Sequence, residues 1–148
     1  MVRSVGGLLG AGGRILLVMV PATLGLVAVG LRTGAWIPPS VGHVAVPVGA
    51  GLVLLGGGLI AWSFTHLRAA RKATRLCTSG PYAHVRHPLY AAWIWLVLPG
   101  IALLSGLWPL FLAAPLMAVV AWRSLLAEER RLRKAYPDQY PQYAAAVP

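Results

Sequence analysis

Thirty-six consecutive residues, His87 to Trp122, contain no Asp, Glu, Lys or Arg. No other feature constrains the fold of this chain as strongly. A straight helix of that length would run about 54 Å at about 1.5 Å per residue, whereas the hydrocarbon core of a bilayer is only about 30 Å thick. The interval therefore predicts a helical hairpin that turns within Ser105-Gly106-Leu107-Trp108-Pro109, with short arms at 88–104 and 107–122. Two more uncharged intervals precede it. Ile15 to Leu31 is bracketed by Arg14 and Arg32, and the apolar part of Thr33 to Leu67 begins at Val44. These predict spans at 15–31 and 44–65.

Composition narrows the class. The chain is 58% hydrophobic and 11% charged, against about 25% charged residues in an ordinary soluble domain. Its 148 residues leave no room for a soluble catalytic domain beside the spans. A single membrane domain over 1–148 is expected, with any activity built against the bilayer. The first span is longer than a signal-peptide h-region of about 7–15 residues and precedes three others, so a retained helix is expected. The one cysteine, Cys77, excludes an intrachain disulfide.

The basic residues then orient the spans. Arg3 and Arg14 precede the first. Arg68, Arg71, Lys72, Arg75 and Arg86 lie between the second and third, and Arg123, Arg130, Arg131, Arg133 and Lys134 follow the fourth. Only Arg32 falls on the other side. An excess of Lys and Arg marks the cytoplasmic face, which predicts both termini there. The formal net charge of +10 is read as attraction to anionic lipid; no nucleic-acid partner is expected, because that would require a soluble basic surface. The fold class is thus an all-α integral membrane protein of four transmembrane helices, the third and fourth as a helical hairpin. A cytoplasmic C-terminal amphipathic helix at 123–136 follows, with Leu125, Leu132 and Tyr136 as its apolar stripe. Gly57 and Ala61 form a small-xxx-small pair, and Gly56-Gly57-Gly58 invites close approach of a neighbouring helix.

Polar information concentrates in Thr78-Ser79-Gly80-Pro81-Tyr82-Ala83-His84-Val85-Arg86-His87-Pro88-Leu89-Tyr90. Gly80-Pro81 is a turn signal, and Pro88 suits the first position of a helix with His87 at its cap. The N–H groups of Leu89, Tyr90 and Ala91 are then without intrahelical partners, which favours a carboxylate, phosphate or ribose oxygen. An interfacial loop of aromatic anchors and snorkelling arginines would show the same composition. The three acids, Glu128, Glu129 and Asp138, all fall near the C-terminus. Glu129 and Arg133 are spaced as an i, i+4 helix-supporting pair. His84 and His87 lack a companion ligand cluster, so no metal is expected.

This run resembles the G-x-Y-x-x-x-R-H-P-x-Y signature of the isoprenylcysteine carboxyl methyltransferase and phospholipid methyltransferase superfamily. The tail, with Glu128-Glu129, Tyr140, Tyr143 and Val147-Pro148, resembles the second motif of that family, and the resemblance covers roughly 44–148. It implies S-adenosylmethionine as cofactor, in a pocket at the cytoplasmic membrane face formed by a loop at 74–90. By resemblance, Thr74, Arg75, Leu76 and Cys77 line the pocket, Tyr82, His87, Pro88, Leu89 and Tyr90 match the cofactor loop and helix start, and Glu128 matches the acid that contacts the cofactor. Arg123 matches, one position off register, an arginine that handles substrate. Two positions depart from the pattern: Ala92 stands where a glycine is common, and Tyr136-Pro137 replaces an aromatic-Gly pair. Family members acting on prenylated proteins carry extra spans, so the substrate is not inherited.

The residue types suit methyl transfer. Tyr82 and Tyr90 can attract a sulfonium by cation–π contact, and positioning with exclusion of water does most of the catalytic work. With few local bases, a lipophilic acceptor carrying a carboxylate or thiolate is favoured over an amine. The expected partners are a lipophilic small molecule, lipid or lipidated substrate, and membrane lipids. Two other classes share some of these features: an NADPH-dependent oxidoreductase resembling sterol reductases, and a small non-enzymatic membrane subunit. A proton-coupled carrier is disfavoured because the spans contain no acid.

Overall fold

The computed structural model describes residues 5–147, with side chains described at Ile15 and from Leu17 onward. Arg3, Pro148 and the side chain of Arg14 lie outside the described residues. Among the described residues, five long helical elements follow in order: α1 (Val5–Thr33), α2 (Gly42–Lys72), α3 (Pro88–Ser105), α4 (Trp108–Ala135) and α5 (Gln139–Ala146). Among the described residues there is no strand, only one isolated bridge between Trp36 and Leu107.

Among the described residues, three helical stretches are long and apolar enough to cross a membrane: Pro39–Lys72, Pro88–Ser105 and Trp108–Ala135. The apolar part of α1 at Leu17–Thr33 is shorter. The helices carry their bulky side chains outward. Leu54, Leu55, Trp95, Val119 and Trp122 are exposed, while Gly49, Gly56, Ser63, Ala92, Ala102 and Ala121 are buried. A bundle with small residues inside and large apolar ones outside is suited to lipid, where close packing replaces the hydrophobic effect as the driving force.

Helices α2 and α3 touch backbone to backbone. A Cβ on Gly49 would lie 2.9 Å from the Gly100 carbonyl oxygen, and one on Gly56 would lie 2.6 Å from Val97 Cγ2. The close approach expected from the glycine run is therefore made by Gly56 with Gly49 and Gly100. The Gly57–Ala61 pair does not take part: Gly57 and Gly58 have nothing within 4 Å and Ala61 is exposed. Those residues fall on the helix face turned away from α3. On the inner side, Ser63 is fully buried and its Oγ donates to the Leu59 carbonyl at 2.7 Å.

Helix α3 widens into a π-helical turn at Trp93–Val97 before resuming as α-helix at Leu98–Ser105. Pro99 supplies a cause, since a proline offers no N–H and its ring collides with the carbonyl four residues earlier. The chain reverses at Gly106, whose φ of +70° is left-handed. Its carbonyl accepts from Ile37 N at 2.6 Å, and Trp108 N donates to the Ala35 carbonyl at 3.3 Å, so the α1–α2 connection is tied to this turn. Helix α4 opens with a tight turn at Trp108–Leu112 and continues unbroken to Ala135. The tail expected as a helix at 123–136 thus continues the preceding span without a break. Ile15 and Met19 of α1 pack on Ala113, Met117 and Ala121 of α4, with Tyr90 and Ile94 alongside.

Candidate active site

The segment between α2 and α3 is built from three stops. The first closes α2. Arg75 N donates to the Ala70 carbonyl and Thr74 N to the Arg71 carbonyl, the paired bonds that commonly end a helix on a left-handed residue. That residue is Thr74, at φ +51°. A β-branched side chain there is under strain. Thr74 and Arg75 are exposed, whereas Leu76 and Cys77 turn inward, and Cys77 packs with Ala70 and Tyr82.

The second stop is Gly80, at φ +62°. A Cβ at this position would lie 2.6 Å from the His66 ring. The loop can lie this close to α2 only because the residue is glycine, and His66 Nδ1 then meets Ser79 Oγ at 3.0 Å. Pro81 and Tyr82 are buried behind it. The third stop is Pro88, buried at the first position of α3. Of the three helix-start N–H groups expected to be unpartnered, that of Ala91 donates to the His87 carbonyl at 3.1 Å. The donors left at this end are those of Leu89 and Tyr90.

Helix α4 brings its two glutamates to this loop, and they point to different partners. Half-buried Glu128 lies within electrostatic range of Tyr82, His87, Tyr90, Arg71 and Arg131. Glu129 is not paired with Arg133, as the i, i+4 spacing suggested. Its Oε1 accepts from Arg86 Nη1 at 2.8 Å and lies 3.3 Å from His87 Nε2. Tertiary contact with a residue 43 positions earlier prevails over a weak local pair of about 0.2–0.5 kcal/mol. The His87 ring also meets Tyr90 edge-on, with centroids 6.2 Å apart.

Helix α5 backs the loop from the other side. Tyr143 Oη donates to the Tyr82 carbonyl at 2.7 Å. Tyr140 is 1% exposed and its hydroxyl sits beside the Arg86 guanidinium. Burial sets the protonation of this region. It raises the Cys77 thiol, lifts the Tyr82 phenol above the ordinary tyrosine range, and pushes Tyr143 up to about 12.

The structure therefore gathers Cys77, Tyr82, His87, Tyr90 and Glu128; Pro88 and Leu76 are buried and Leu89 is half-buried. Arg123 stands apart: it is exposed, and five residues from Glu128 it points about 140° away around the helix. The contacts of Glu129, Arg86, Tyr140 and Tyr143 were missed as site geometry. The available signal was the Arg-His-Pro triplet together with a second glutamate and two tail tyrosines. An apolar groove of 420 Å³ lined by Ile37, Val41, His43, Val44, Ala45, Val48 and Leu103 is remote, because Leu103 is about 22 Å along α3 from Pro88. Among the described residues no group of three His, Cys, Asp or Glu side chains gathers. What the loop offers is two aromatic rings, one carboxylate and two backbone donors, a set suited to a ligand carrying both a cation and an anion.

Residues 49–134 match the model of the isoprenylcysteine carboxyl methyltransferase family. The chain is 36% identical over 93 residues to the protein-S-isoprenylcysteine O-methyltransferase of Schizosaccharomyces pombe, covering 58% of this chain and 37% of that protein. It is also 36% identical over 93 residues to protein-S-isoprenylcysteine O-methyltransferase B of Arabidopsis thaliana, covering 58% of this chain and 45% of that protein. The chain thus spans less than half the length of the curated relatives it matches. No solved structure matches it.

Proposed function

The chain belongs to the isoprenylcysteine carboxyl methyltransferase family, and from that premise we propose that it transfers a methyl group from S-adenosylmethionine to a lipophilic acceptor at the cytoplasmic membrane face. The observation that carries this reading is the convergence of Glu128 with Tyr82, His87 and Tyr90, which come from segments about forty residues apart. S-adenosylmethionine, when bound, supplies an electrophilic methyl group on a sulfonium.

The chain's own residues fit such a group. The faces of Tyr82 and Tyr90 attract a cation, the N–H groups of Leu89 and Tyr90 suit a carboxylate, and Glu128 accepts hydrogen bonds from ribose hydroxyls or an ammonium. Leu76 and Cys77 exclude water from the inner wall, and Thr74 and Arg75 form the outer rim. A raised thiol at Cys77 is neutral near pH 7 and so is a wall rather than a nucleophile.

Local bases are few. Glu129 is engaged by Arg86 and His87, which leaves Glu128 facing the site and favours an acceptor that already carries its lone pair, a carboxylate or thiolate. The names of the relatives, protein-S-isoprenylcysteine O-methyltransferases, agree with a lipidated carboxylate. The acceptor enters from the bilayer between helices, and Arg123, on a different face of α4, meets its polar end. In the same reading α1 is a fourth span, both termini are cytoplasmic, and the residues after 123 form an amphipathic cytoplasmic extension.

Calorimetry with S-adenosylhomocysteine and with NADPH tests the cofactor class. Binding of the first alone is expected; binding of NADPH alone would make the chain a reductase, and binding of neither would leave a non-enzymatic subunit. Labelled-methyl transfer into the host's lipid extract, with mass analysis of the product, identifies the acceptor. A lipid amine as the preferred acceptor would overturn the carboxylate or thiolate preference.

A further inference from the structure

Glu129 takes no part in the ligand contacts proposed above, yet one of its oxygens holds two consecutive loop residues. Arg86 Nη1 lies 2.8 Å and His87 Nε2 lies 3.3 Å from Oε1, with the three side chains 20–29% exposed. A carboxylate only accepts, so this contact sets the His87 proton on Nε2 and fixes the plane of the ring. The next residue, Pro88, opens α3 with its φ locked. Immobilising His87 therefore immobilises the start of that helix.

The same contact sets the azimuth of α4. Adjacent helical residues project about 100° apart, so pinning Glu129 to Arg86 turns Glu128 towards Tyr82, Tyr90 and Arg71. Behind Arg86, the buried Tyr140 hydroxyl sits beside the guanidinium, and Tyr143 donates to the Tyr82 carbonyl. The loop is gripped from two elements at once.

We propose that Glu129 is a positioning residue: its carboxylate clamps Arg86 and His87 so that the start of α3 and Glu128 are held at the spacing a ligand needs. This rests on reading Glu128 and the α3 start as the cofactor site. A surface ion pair with no such role would contribute little to anything measured.

The test uses the full chain in lipid nanodiscs, with Glu129→Gln, Arg86→Gln, the double variant, and Asp138→Asn as an exposed acid outside the site. Two readouts are taken: S-adenosylhomocysteine affinity by calorimetry, and hydrogen exchange of residues 80–90 without ligand. Glu129→Gln is expected to weaken binding tenfold or more and to raise exchange at 84–87 while thermal unfolding moves by only a few degrees. The double variant is expected to be no worse than the poorer single one. Glu129→Gln behaving as Asp138→Asn in both readouts, or fully additive single effects, would overturn the clamp. Should Glu129→Gln not fold, Arg86→Lys keeps the charge without the reach of the guanidinium and is expected to give the same weakening. If the unmodified chain binds no S-adenosylhomocysteine, the cofactor reading falls, and the exchange measurement alone still decides whether the clamp exists.

Discussion

Replacing Gly80 by alanine isolates the contact that lets the loop lie against α2. Two costs follow from the geometry. An L-residue at φ +62° incurs about 1–2 kcal/mol of backbone strain. The new Cβ would also start 2.6 Å from the His66 ring, so the imidazole must swing away and its bond to Ser79 Oγ is lost, a further cost of about 0.5–1.5 kcal/mol. The expected destabilisation is about 1.5–3.5 kcal/mol. Gly34 provides the control, having the same φ of +62° with nothing within 4 Å of a Cβ, so Gly34→Ala should incur only the strain of about 1–2 kcal/mol. Both are read as unfolding midpoints in denaturant titrations of detergent-solubilised protein, followed by circular dichroism. Adding His66→Ala to Gly80→Ala removes the obstructing ring and should cost less than the two single changes combined. Equal losses for Gly80→Ala and Gly34→Ala would refute the reasoning, because the His66 contact would then carry no energy.

Three further outcomes are expected. Gly56→Ala should destabilise by about 1–3 kcal/mol through the overpacked contact with Val97, whereas Gly57→Ala should stabilise by up to about 1 kcal/mol, since alanine is the better helix former; unfolding titrations of the pair reveal whether the signs differ. Thr74→Gly should raise stability by at most about 1 kcal/mol, left-handed strain being relieved against glycine's extra chain entropy, and a loss in the same assay would mean that Thr74 is not strained. The neutral Tyr143 phenol is favoured in the folded state, so its contribution is complete below pH 10 and is lost as pH rises through about 12; ultraviolet titration of Tyr143→Phe should lack that late step.

Large-scale organisation was legible because a charge is excluded from lipid more strongly than any local preference acts. Uncharged intervals bounded by arginine therefore mark where helices run, and Ser105-Gly106 marks where one must turn. Gly80-Pro81 and His87-Pro88 were readable for a related reason: proline and glycine restrict or free φ whatever surrounds them. The division of labour between Glu128 and Glu129 was not readable. Neighbouring residues differ by about 100° of azimuth, and which one meets Arg86 depends on how α4 is rotated against the loop. The same holds for glycine. Gly56 and Gly57 are equivalent in composition, and only the crossing with α3 separates the buried one from the exposed one.

The widened turn at Trp93–Val97 bears on which changes of length α3 can tolerate. An α-helix that gains a residue rotates everything beyond it by about 100° and shifts it by about 1.5 Å, which here would swing His87 and Tyr90 away from α4. A π turn absorbs one residue locally and leaves the two flanks in phase. A single deletion at Trp95, which is 75% exposed, should therefore relax the turn to plain α-helix with both ends still in register. The same deletion at Ala91, outside the widened turn, would put the loop end and the Gly100 crossing out of step.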